Sequence, residues 1–214
     1  MNKTLMFVHE PGRQSTMNLR DGRKLGWYEW GTPNGRPVLF CTGAAMSGSL
    51  AFGIEYLADL ELRLLAFDRP GLGAPDPDPD KTLSSWTDDI AQVIDANKLV
   101  GATAVGFSQG AAFALALAAH SLVKAAAIVS GQDELSHPSF SSLLHPEVAR
   151  MIAALHKDPD GFEHSFSQMA TADELCELII GMSSEHDRTL YTQETFRTAY
   201  LRCLQEGFSQ GAEG

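Results

Sequence analysis

Along the first 130 positions, apolar residues fall in short unbroken runs separated by stretches of helical period. Pro37-Val38-Leu39-Phe40-Cys41, Leu62 to Phe67 (broken by Arg63), Thr103 to Phe107 and Ala125 to Val129 are such runs. Runs without polar alternation predict strands covered on both faces, as in a parallel sheet. Ahead of them, Ser15 to Leu19 and Lys24 to Trp30 flank Asp21-Gly22 and predict a hairpin, with the next break at Gly31-Thr32-Pro33-Asn34-Gly35. Ser85-Trp86-Thr87-Asp88 has the capping-box form S-x-x-D, and Trp86, Ile90, Val93 and Ile94 follow at helical spacing. That helix is expected to bury one stripe and to leave Asp88, Asp89 and Gln92 outward. The segment from Ser108 to His120 is nearly free of polar groups, which predicts a helix buried almost all round. Strands alternating with helices predict an α/β sheet with right-handed crossovers.

From Gln132 onward the alternation stops and the pattern becomes helical. Pro146 occupies a first-turn position, and Val148, Met151, Ile152 and Leu155 form a stripe before the break Asp158-Pro159-Asp160-Gly161. Thr171-Ala172-Asp173-Glu174 is a second capping box, ahead of Leu175, Leu178, Ile179 and Met182. A last helix is expected from about Gln193 to Glu206, with Phe196, Tyr200, Leu201 and Leu204 inward. Three units follow: an N-terminal tail over 1–13, an α/β core over 14–131 and a helical cap over 132–214. The stripes of the third unit read either as ordinary packing or as a lid.

The 214 residues are 44% apolar and 20% charged, enough for one substantial core. A formal net charge of -11 argues against nucleic acid, because phosphate binding needs clustered Lys and Arg. Cys41, Cys176 and Cys203 are odd in number and widely spaced, which suggests neither a disulfide framework nor a zinc knuckle and fits a reducing cytoplasm. Leu5-Met6-Phe7-Val8 is too short for a signal-peptide core, and no 18-residue apolar segment predicts a membrane span. Pro75-Asp76-Pro77-Asp78-Pro79-Asp80 must be a loop. No metal-ligand spacing and no dinucleotide fingerprint is present, so no cofactor is expected.

The chemistry concentrates in Gly106-Phe107-Ser108-Gln109-Gly110, which joins Thr103-Ala104-Val105 directly to an alanine-rich helix. Glycines on both sides of a serine permit the close strand-to-helix approach that lifts a hydroxyl out of the backbone. The blander reading makes Ser108 an ordinary helix N-cap. Two further motifs precede it in order: Thr42-Gly43-Ala44-Ala45 after one strand, and Asp68-Arg69-Pro70-Gly71-Leu72-Gly73 after the next. Together the three, spanning Leu39 to Gly110, resemble the α/β-hydrolase superfamily, and within it the cap-bearing proline iminopeptidase-like and esterase-like branch. The resemblance implies a mostly parallel sheet flanked by helices, Ser108 as nucleophile, and an oxyanion hole from the backbone N–H groups of Gln109 and Ala44. Thr42 stands where that family usually has histidine. Asp68 and Arg69 would shape the pocket wall, although a ligand-binding pair is the other reading.

The family order is serine, acid, histidine, and no histidine stands late in this chain where that order needs one. His120 lies twelve residues along the Ser108 helix, about 18 Å away, and is expected to complement that helix's C-terminal end. His137 and His145 open the cap and could hang over the elbow. His156, His164 and His186 read as cap residues, and Asp133 stands after the strand that follows the elbow helix, where some members take the acid. The leading expectation is therefore a serine hydrolase that opens an ester-like or amide-like bond of a small, largely apolar substrate. The alternatives are a non-catalytic binding protein of the same fold, or an inactive fragment of a longer hydrolase lacking the last strands. With Ala125 to Val129 as a bare apolar sheet edge, self-association is expected.

Overall fold

The computed structural model describes residues 8–73 and 75–211. Most of the run beginning at Leu5 lies outside them, as do Ala74 and the last three residues. Six strands form one mixed sheet: β1 (Arg13–Asn18), β2 (Lys24–Gly31), β3 (Arg36–Cys41), β4 (Leu62–Phe67), β5 (Thr103–Phe107) and β6 (Ala126–Val129). Their order is β1-β2-β4-β3-β5-β6. β1 and β2 make the expected hairpin, β2 pairs antiparallel with β4, and β4, β3, β5 and β6 run parallel. The chain leaves β3 toward β4 on one side and returns to β5 on the other. That reversal opens a crevice at the carboxyl ends of the strands, where ligands of open α/β sheets bind. Cys41 aligns with both Phe67 and Gly106, so the three segments carrying the sequence motifs leave the sheet at one level.

The runs lack alternation because both faces are covered. Leu39, Cys41, Leu65, Phe67 and Ala104 pack beneath α1 (Leu83–Asn97) and α2 (Gly110–Ala119), against Trp86, Ile90, Val93, Ala114 and Leu117. Val38, Phe40, Leu64 and Ala66 face the other way, onto Ala51, Leu57 and Phe52. β6 departs from the expectation: Ile128 and Val129 are 41% and 48% exposed, because β6 is the outermost strand of the described sheet.

Three details of the first helices differ from the sequence reading. Thr82, not Ser85, is the N-cap of α1; Ser85 takes the third helical position and closes the box with its own hydroxyl. Asp89 does not point outward: it is 2% exposed and held in a two-pronged pair by Arg23 Nη1 and Nη2 at 2.9 and 2.8 Å. A single apolar stripe cannot reveal a polar group recruited inward by Arg23 of the distant β1–β2 turn. α2 is covered on one side only, with Leu115 54% exposed.

Beyond β6 the chain is helical: α3 (Pro146–Lys157), α4 (Pro159–Met169), α5 (Ala172–Met182), α6 (Glu185–Tyr191) and α7 (Glu194–Gly207). The expected break at Asp158 is a one-residue joint, Asp158 ending α3 and capping α4 through Gly161 N–H. α5 and α7 bury Ala172, Cys176, Ile180, Phe196, Tyr200, Cys203 and Leu204 against Met46 and Leu50. Leu178 and Met182 are exposed instead, so the buried face of α5 is rotated from the expected stripe. α3 and α4 bury no residue. Among the described residues no helix is long and apolar enough to cross a membrane.

Candidate active site

Ser108 sits between β5 and α2 with φ +52°, a left-handed conformation that costs a non-glycine residue about 1 to 3 kcal/mol. Its surroundings impose it. Ser108 N–H donates to Val129 O at 3.0 Å, and its carbonyl accepts from Ala111 N–H at 3.0 Å and Gln132 N–H at 3.1 Å. A Cβ on Gly106 would lie 2.7 Å from Gly110 O and 2.8 Å from Ala111 Cα, while one on Gly110 would run into the Cys41 carbonyl. Only glycine at both positions lets the β5–α2 turn close on β3. α2 begins at Gly110, after Gln109, and the Ser108 side chain caps nothing, which removes the N-cap reading.

The loop after β3 is held from three sides. Thr42 Oγ1 donates to Met46 O at 2.9 Å, so Thr42 ties the loop internally. Arg69 Nη2 donates to Gly43 O at 2.8 Å, and Ser47 N–H donates to Cys203 O on α7 at 3.2 Å. Ala44 belongs to this loop and Gln109 to the elbow, and both line one cavity. Among the described residues no acceptor takes either backbone N–H. Gln109 lies in the first turn leading into α2, where amides have no intrahelical partner and the helix dipole favours negative charge.

Two cavities flank these residues. One, of about 630 Å³, is lined by Ser108 with Phe40, Phe52, Phe107, Ser130 and Asp187. The other, of about 430 Å³, is lined by Ala44, Gln109, Arg69, Trp86, Phe113 and Phe208. Ser108 thus lines the first cavity, while its chain neighbour Gln109, with Ala44, lines the second. Asp68, fully buried, accepts from Gly48 N–H and anchors the β4 turn rather than facing a cavity. Burial pushes the Cys41 thiol up to about 12, so it is inert as a nucleophile at neutral pH.

No histidine lines either cavity. His120 ends α2, as its place in the sequence suggests. His137 and His145 each turn Nδ1 to the backbone, accepting from Ser139 N–H and Glu147 N–H at 3.3 Å, and are exposed helix caps, not partners of the elbow. His164 contacts Gln168, and His156 and His186 are exposed. Asp133 is also exposed and accepts from Glu134 N–H. The carboxylate that does share a cavity with Ser108 is Asp187, on α6, a helix that the hydrophobic pattern did not predict because its seven residues carry no long stripe. Among the described residues no group of three His, Cys, Asp or Glu could hold a metal ion.

A family model described as alpha/beta hydrolase fold matches residues 36–166. Among solved structures, a hydrolase from Pseudomonas aeruginosa PA01 is 17% identical with a TM-score of 0.58, over 93% of this chain and 72% of its own. A bromoperoxidase from Bacillus anthracis is 18% identical, TM-score 0.60, over 92% of this chain and 72% of its own. An esterase from Exiguobacterium antarcticum is 18% identical, TM-score 0.53, over 92% of this chain and 70% of its own.

Proposed function

Since this chain belongs to the α/β-hydrolase fold family, we propose that it is built for acyl transfer, as a serine hydrolase with Ser108 as nucleophile and the Gln109 and Ala44 amides as oxyanion donors. The observation that carries this reading is the left-handed Ser108 between two glycines that tolerate no side chain. A strained hydroxyl-bearing residue held in this way points to function rather than packing. In the proposed reaction, Ser108 Oγ bonds to the substrate's carbonyl carbon as its proton passes to a base that these cavities do not supply as histidine and that added imidazole can replace. That proton returns to the alcohol or amine leaving group as its bond breaks, and water then releases the acid from the acyl-enzyme. Each oxyanion donor would contribute about 3 kcal/mol. Phenylalanines around both cavities suit a small, largely apolar substrate, and the helices of residues 132–214 would act as its cap.

A second reading, a non-catalytic binding protein of this fold, is favoured by the absence of histidine from the cavity lining. Chemical rescue separates the two. The chain should hydrolyse p-nitrophenyl acetate at a rate close to its Ser108→Ala variant, and added imidazole should raise the wild-type rate well above that of the variant in the same imidazole. A fluorophosphonate probe should then label Ser108. If imidazole produces no Ser108-dependent increase and the probe does not label, the binding reading stands.

A further inference from the structure

Three guanidiniums in this molecule are largely shielded from water, and two of them are matched. Arg23 is paired with Asp89 and Arg63 with Glu29, each against a buried carboxylate. Arg69 is the third and the most buried, at 7% exposure, yet among the described residues it has no carboxylate within ion-pair distance. Its acceptors are neutral: Nη1 donates to Gln109 Oε1 at 2.9 Å and Nη2 to Gly43 O at 2.8 Å, while buried Nε finds no acceptor. The guanidinium carbon lies 4.7 Å above the Phe113 ring, which holds the planar group in place. Burial lowers its pKa to about 10, so it remains charged at neutral pH.

Arg69 lines the 430 Å³ cavity together with the apolar side chains of Leu83, Trp86, Phe113, Phe166 and Phe208. Among the described residues, the charged side chains lining that cavity are Arg69 and Lys81, both cationic, in a chain whose formal net charge is -11. An unmatched buried cation in an apolar chamber favours an anionic ligand, and the guanidinium fork matches a carboxylate in both spacing and planarity. Among the described residues Gln109 Oε1 is its one side-chain acceptor, and it belongs to an exposed residue able to turn away.

We propose that this cavity is a carboxylate subsite: it takes a small ligand with an apolar body and a terminal carboxylate, which displaces the Gln109 side chain and binds Arg69. For binding this stands alone. For turnover it rests on the hydrolase reading, and it then names the substrate class as an ester or amide bearing a free carboxylate on its acyl portion, since Ala44 and Gln109, the residues of the two proposed oxyanion donors, line this same cavity.

The test is calorimetric titration of the full chain with 4-phenylbutyrate and with 4-phenylbutyramide, which differ only in the anionic group. The acid should bind about ten-fold tighter or more, the range of a charge-assisted hydrogen bond. Arg69→Gln should abolish that preference, with far-UV dichroism reporting whether the fold is kept. Gln109→Ala, which leaves Arg69 and the backbone intact, should tighten acid binding several-fold and leave amide binding unchanged. Ser108→Ala should bind both as wild type does, so a failure of the hydrolase reading leaves this result untouched. Acid and amide binding within two-fold of each other in the wild type would overturn the proposal, as would a preference that survives in folded Arg69→Gln.

Discussion

Gly110 shows how little freedom the elbow has. Its missing Cβ is the space that the Cys41 carbonyl occupies, and that carbonyl belongs to a central strand that cannot move alone. Gly110→Ala should therefore cost about 3 kcal/mol or more, read as a lower urea midpoint, and in the folded fraction should abolish any Ser108-dependent labelling. Glu29 is a separate case of stored electrostatics. Burial raises its pKa, but the hydrogen bond from Arg63, the Trp27 indole N–H and the charges of Arg63 and Arg13 outweigh burial and hold its carboxyl below the ordinary range. A depressed folded-state value means that stability is fully present above the unfolded value of about 4.3 and drains away as pH falls through the folded one. Thermal melts should lose Tm below about pH 4.5, and Glu29→Gln should flatten that dependence while costing about 2 kcal/mol at neutral pH.

The strands were legible almost to the residue, because β3, β4 and β5 are apolar on both faces and leave no ambiguity of period. The elbow was legible too, since two glycines around a serine at a strand end are informative before any coordinate is known. Helix starts and polar partners were harder. Thr82 and Ser85 both satisfy the rules for an N-cap, and only the backbone, extended at Thr82, decides between them. Thr82→Ala should lower Tm by the equivalent of about 1 kcal/mol, whereas Asp88→Ala, removing an exposed residue mid-helix, should change it by less than about 0.5 kcal/mol. The inward turn of Asp89 needed Arg23, 66 positions earlier, and the absence of a carboxylate beside Arg69 among the described residues became visible only once their acidic side chains had places. Pairings across such separations leave no trace in local periodicity.

The six-stranded sheet ends on β6, four residues without lysine or proline to guard the edge and with Ile128 and Val129 partly in solvent. We propose that this edge self-associates. Size-exclusion chromatography should show a concentration-dependent shift above the monomer, and Ile128→Lys combined with Val129→Lys should restore the monomer. At the other extreme, stability is unevenly shared among the helices. α5 and α7 are locked to the loop after β3 through Met46, Leu50, Cys203 and Leu204, whereas α3 and α4 lean mainly on each other and bury no side chain. Amide hydrogens of α3 and α4 should accordingly exchange with deuterium far sooner than those of α5 and α7, by local opening that leaves the sheet intact. Because Phe166 of α4 lines the Arg69 cavity, a ligand seated there should slow exchange in α4 before it alters any other helix, so that the weakest-held part of the fold reports on the occupancy of that chamber.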